Sequence, residues 1–200
     1  MSLPQELRAL LGHTAGIDGS ALETIDFTGR SFSVATDELF PSGLPVANDG
    51  YGNHWLLDLR PSEPDAAPVF YLCHDAPVVL YQSPNLAHFL HETFRMSMPP
   101  HESFVDDVHE DRRFQVWREN PGELDHAVAL GADDELREFA ESLEDTFRFA
   151  DLRRPEIGMG FSWGRYGPRT ELRRHGWSRL FAYAPPEKRP GLLGRIFGRS

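Results

Sequence analysis

Histidine stands directly before glutamate at His91-Glu92, His101-Glu102 and His109-Glu110. That pair opens the zinc motif in which a second histidine, one helical turn on, meets the same ion from one helix face. Here the residues at that position are Arg95, Val105 and Arg113, so no motif is completed. His88 and His91 share an expected helix but lack a nearby carboxylate partner, and no metal site is expected. Cys73-His74-Asp75 has the residue types of a nucleophile, a base and an orienting acid. Neighbours on a strand point to opposite faces, which separates thiol from imidazole; Cys73 shares its face with Val69 and Tyr71 and reads as a core thiol. Gly158-Met159-Gly160-Phe161-Ser162-Trp163-Gly164 is too widely spaced for a dinucleotide loop, and no amphipathic helix follows it. Neither a phosphate loop ending in Gly-Lys nor a Gly-x-Ser-x-Gly elbow is present.

The densest group of turn residues is Asn48-Asp49-Gly50-Tyr51-Gly52-Asn53, directly before the apolar run Trp55-Leu56-Leu57. It lacks the alternating carboxylates and closing glutamate of a calcium loop, and it precedes a strand rather than a helix whose N-terminus could hold phosphate. Its glycines are expected to supply positive φ, with the Asn and Asp side chains bonding back to the backbone. Its role is read as architectural, launching a strand. A metal- or ligand-dependent enzyme would have to use His54, His74, Asp58 and Asp75 around the same sheet, and this is the least favoured reading.

The elements that position these residues follow from periodicity. Residues 53–60, 68–74 and 78–82 are apolar runs of strand length with hairpin-length connections, which predicts an antiparallel meander. Trp55, Leu57 and Leu59 share one face of the first strand. His54, Asp58 and Arg60 share the other with Leu56, so that face is expected to be mostly polar. Ser83 as cap and Pro84 in the first turn predict a helix with Leu86, Phe89, Leu90, Thr93 and Phe94 on its apolar stripe, and His88 and His91 facing solvent. An earlier helix is expected over residues 3–11, weak strands near 24–27 and 31–34, and a helical turn at 37–40. Phe104, Val108, Phe114 and Trp117 suggest irregular helical packing. Residues 133–150 read as one long helix with Asp133, Asp134 and Glu135 at its positive end and Arg148, Arg153 and Arg154 at the other. Residues 157–163 and 177–183 are further strand candidates.

Length suits one domain, or a domain with an extension, able to bury a core without staples. A single cysteine excludes an internal disulfide framework and suits a reducing compartment. No apolar run approaches the roughly 20 residues of a spanning helix and no signal pattern opens the chain, so a cytoplasmic location is expected. The net charge of −11 argues against general affinity for nucleic acid or anionic membrane. Charge is uneven: residues 101–151 carry 16 acidic and 5 basic side chains, residues 152–200 carry 3 and 11. The tail, with Leu192, Leu193, Ile196 and Phe197 among arginines, reads as a flexible end rather than a membrane anchor.

Leu44-Pro45-Val46-Ala47-Asn48-Asp49-Gly50-Tyr51-Gly52-Asn53, then Trp55-Leu56-Leu57-Asp58-Leu59, Val69-Phe70-Tyr71 with His74-Asp75, and Asn85-Leu86 to Phe89-Leu90 resemble the SUKH superfamily, which includes Smi/Knr-type cell-wall assembly regulators and bacterial immunity proteins. Leu3-Pro4 with Leu7, Leu10 and Leu11 is similar to that family's early helix. The resemblance spans residues 3–95 and implies an α+β fold: a mainly antiparallel sheet flanked by helices, over residues 1–96, with an α/β extension over 97–184 and the tail 185–200. It implies no catalytic residues and no cofactor. The implied activity is protein binding, as an immunity protein neutralising a partner toxin such as a nuclease; the alternative is a housekeeping scaffold for host proteins. Contact residues are expected at the sheet rim and the acidic segment: Asp49, Asn53, His54, Asp58, His74, Asp75, Asp106, Asp107, Glu110 and Asp111.

Overall fold

The computed structural model describes residues 25–27, 37–60 and 67–186. The expected helix over 3–11, the strand near 31–34 and the tail beyond Pro186 lie outside them.

The meander forms as its periodicity demands. Strands β1 (Gly43–Asn48), β2 (His54–Asp58), β3 (Val69–Cys73) and β4 (Val78–Ser83) pair antiparallel in sequence order. A fifth, distant strand, β7 (Gly160–Phe161), extends the sheet by pairing with β4. Asp26 bridges to Asn48 at the outer edge.

One sheet face carries Trp55, Leu57, Val69, Tyr71, Val78 and Leu80 into a core closed by the first helix, α1 (Leu86–Ser97), through Leu86, Phe89, Leu90 and Met96. Trp55 sits 5.1 Å from the Tyr71 ring and 5.6 Å from Phe89, and its indole N–H donates to Gln82 Oε1 at 3.0 Å. The cap of α1 is Asn85, whose Oδ1 accepts from the His88 amide at 2.8 Å. Ser83, expected there, remains in β4 and donates its hydroxyl to the Asn85 carbonyl. Phe94, expected in the apolar stripe, is exposed, and His88 is half-buried. Beyond α1, the helical stretch runs as α2 (Phe104–Asp107), a π-helical turn at Val108–Arg112, and α3 (Arg113–Glu119), which ends on Asn120 in left-handed conformation.

The opposite sheet face is not the polar surface expected from β2. Leu56, Phe70, Leu72 and Val79 pack against Phe161, Leu172, Phe181 and Tyr183 in a second core. The cover is a second antiparallel sheet: β5 (Leu124–Asp125), β6 (Arg148–Asp151), β9 (Leu180–Ala184) and β8 (Glu171–Arg174), in that spatial order. Alternation along β9 sends Phe181 and Tyr183 toward the first sheet. It sends Leu180, Ala182 and Ala184 to a third core under α4 (His126–Leu130) and α5 (Asp134–Glu141). The layers run helix, sheet, sheet, helix, a mixed α+β fold.

The expected helix over 133–150 stops at Glu141. Asp133 caps it as anticipated, Oδ1 accepting from the Glu135 and Leu136 amides at 3.2 Å. Ser142 then bonds back to Phe139, residues 144–146 are exposed, and the chain reverses into β6. In consequence Arg153 lies beside the helix start rather than its end, bonded to Asp133, Glu135 and Asp151.

Candidate protein-binding site

The turn after β1 is held from inside. Gly50 and Gly52 adopt φ of +76° and +93°, conformations costly to any residue with a Cβ. The buried Asp49 carboxylate accepts from the Tyr51 amide at 2.9 Å, the Asn53 amide at 3.1 Å and the Asn53 side chain at 2.6 Å. Asn53 in turn accepts the His74 amide at 3.1 Å, tying this turn to the β3–β4 turn. Gly52 also permits the approach, since a Cβ there would lie 2.8 Å from the His74 ring. The exposed His74 imidazole spans Asn53 Oδ1 at 3.3 Å and Asp75 Oδ1 at 3.0 Å.

The third wall is the π-helical turn. It carries His109 inward, Nε2 3.5 Å from Asp49 Oδ2 and the ring edge-on to Tyr71 at 5.6 Å. Burial alone would raise the Asp49 carboxyl; hydrogen bonds from His109, the Asn53 side chain and the two amides outweigh it and hold the group below its ordinary value. The start of the segment is fixed by Ser103, whose hydroxyl donates to the Glu92 carbonyl at 2.7 Å, and by Glu92 Oε2, which accepts the Phe104 amide at 3.1 Å.

With its inner side anchored, this stretch turns Asp107, Glu110 and Asp111 to solvent, with Asp106 half-buried. Phe104, Phe114 and Trp117, read from sequence as packing residues, are exposed at 44%, 39% and 44%. Arg113 lies 4.4 Å over the Phe114 ring and Arg118 5.7 Å from it. Tyr51, between the two glycines, is 59% exposed.

The ten expected contact residues therefore divide. His74, Asp75, Asp107, Glu110 and Asp111 are exposed and Asp106 partly so, while Asp49, Asn53, His54 and Asp58 are buried. The rim placement anticipated for Asp49 and Asp58 does not hold. Asp49 is consumed by its own turn, and Asp58 by Arg174, which meets it with two nitrogens at 2.7 and 3.0 Å. Asp58 and His54 close opposite ends of β2, so the set His54, His74, Asp58 and Asp75 does not converge. Among the described residues no group of three His, Cys, Asp or Glu side chains is placed to hold a metal ion. Sequence reasoning missed Tyr51, His109, Phe104, Phe114 and Trp117. The available signal was large aromatics set in a run of charged residues, where a core helix would alternate faces.

Antiparallel sheets flanked by helices, with a glycine turn braced by Asp and Asn, define an α+β protein consistent with a SUKH-like fold. Residues 1–92 match the model of the SMI1 / KNR4 family (SUKH-1), and through that stretch the chain belongs to the SUKH superfamily. The matched stretch holds β1–β4 and the start of α1; everything from α2 onward lies beyond it. Membership supports a non-catalytic SUKH-type domain in a family associated with protein–protein interaction. No curated protein and no solved structure matches the chain.

Proposed function

We propose that this protein is a non-catalytic binding module of the immunity type, neutralising a basic partner protein such as a nuclease toxin. The observation that carries the reading is one continuous face on which Phe104, Phe114 and Trp117 stand exposed beside Asp107, Glu110 and Asp111. Aromatic anchors supply the affinity of protein interfaces, and a surrounding field of one sign steers a partner of the other. His74, Asp75 and Tyr51 extend the face across the glycine turn, where internal hydrogen bonds hold the backbone in a fixed shape before any partner arrives. Preorganisation of this kind lowers the ordering cost of association.

The test is co-expression with the product of the neighbouring reading frame. A stable complex on co-purification, with protection of cells that express that product, is the expected result. Absence of both removes the immunity reading.

A further inference from the structure

A second charged cluster lies where β2 ends against the second sheet, and the binding face does not use it. Asp58 and the Arg174 side chain are each about 2% exposed. Arg174 engages every N–H it has: Nη1 with Asp58 Oδ1 and the Leu39 carbonyl, Nη2 with Asp58 Oδ2 and the Trp177 carbonyl, Nε with the Ser178 carbonyl. That pair is complete. Arg179 nonetheless adds its Nε to the same Asp58 Oδ2 at 3.1 Å, and its two Nη nitrogens have no protein partner among the described residues. Arg60 lies two positions along the chain from Asp58, and its Nε is buried with no hydrogen-bond partner.

Three guanidiniums thus share one carboxylate, and two positive charges stand without a counter-ion among the described residues. Burial first, and then the charge of Arg60, hold the Arg179 guanidinium below its ordinary value, against the pull of Asp58. The half-buried Tyr81 phenol lies within the field of Arg179. An unpaired buried guanidinium is costly, and paired arginine forks match the oxygens of a phosphate. A monocarboxylate would neutralise only half of the excess charge; a phosphate, at about −1.5 to −2 near pH 7, balances it.

We propose that Arg60 and Arg179, with Tyr81 beside them and the Asp58–Arg174 pair beneath, form a binding site for a phosphate dianion, either free or as a monoester. The site joins the end of β2 to the β8–β9 hairpin, so an occupant would tie the first sheet to the second. Arg60 and Arg179 are both half-buried, which leaves the site open to solvent.

The test uses the full chain in phosphate-free buffer at constant ionic strength set with chloride. Calorimetric titrations with inorganic phosphate and, separately, with O-phosphoserine distinguish the two sources. Saturable binding of either supports the site, and the tighter one names the source. Arg60→Gln is expected to weaken that binding about tenfold or more, as loss of a charge-assisted hydrogen bond does. The same variant should melt no lower than the wild type without phosphate, because it removes a repulsion. No saturable binding of either probe, or equal binding by Arg60→Gln, overturns the proposal.

Discussion

His54 carries a prediction of its own. It is buried at the start of β2, and its Nδ1 has no hydrogen-bond partner. Burial depresses its protonation below the ordinary 6.5, opposed by Asp49 and a Gly52 backbone contact and reinforced by His74. A depressed folded value means that the folded state binds the proton less readily than the unfolded one. The stabilising contribution is therefore complete above pH 6.5 and is lost as pH falls through the lower folded value. Asp49 has the same sign at more acid pH: its contribution is present above its unfolded value, 3.8, and is lost below it. Melting curves between pH 8 and 5 should show the wild type losing stability by at most about 1.4 kcal/mol per pH unit from this residue. His54→Gln should have a flatter profile over that interval, and an unchanged slope would show that burial of this ring is not the cause.

The elements divide into those that local pattern determines and those that tertiary packing overrides. The four-strand meander was legible because Trp55, Tyr71 and their neighbours alternate with period two and the connections are short. The long helix over 133–150 was misread because Phe147 and Ala150 continue the helical spacing of Leu136, Phe139, Ala140 and Leu143. What decides the matter is pairing with β9, a partner more than 30 residues away that no local window contains. The same blindness hid the second sheet, and with it the burial of Asp58: Leu56 among polar neighbours looked incidental until Phe181 and Tyr183 covered it. The turn at Asp49–Asn53 was readable as a turn, whereas its bracing by His109 depended on a π-helical turn with no local sequence signature. At the seam between the halves, Gly160 pairs with Leu80, and a Cβ there would lie 1.9 Å from the Val79 carbonyl oxygen. Gly160→Ala should force β7 away from β4 and destabilise the protein by about 1–3 kcal/mol, the usual range for overpacking. Denaturant titration measures this, and wild-type stability in the variant would contradict the close approach.

Across the whole molecule, charge and layering separate two jobs. The arginine-rich C-terminal stretch turns inward at Arg174 and Arg179, where it locks the second sheet onto the matched family region through Asp58. The acidic stretch turns outward on α2, the π-helical turn and the residues that follow. An interior held by ion pairs and three apolar cores leaves that outer face free to be optimised for a partner, and a strongly acidic face implies association that weakens as salt rises. The most direct measurement is the affinity of the neighbouring reading frame's product for the triple variant Asp107→Lys, Glu110→Lys, Asp111→Lys, with melting temperature as the check on fold. These side chains are exposed, so the fold should survive. Binding should weaken by at least about a hundredfold, as reversing several steering charges at an interface implies. Undiminished binding by a folded triple variant would contradict the claim that this protein works through its acidic face.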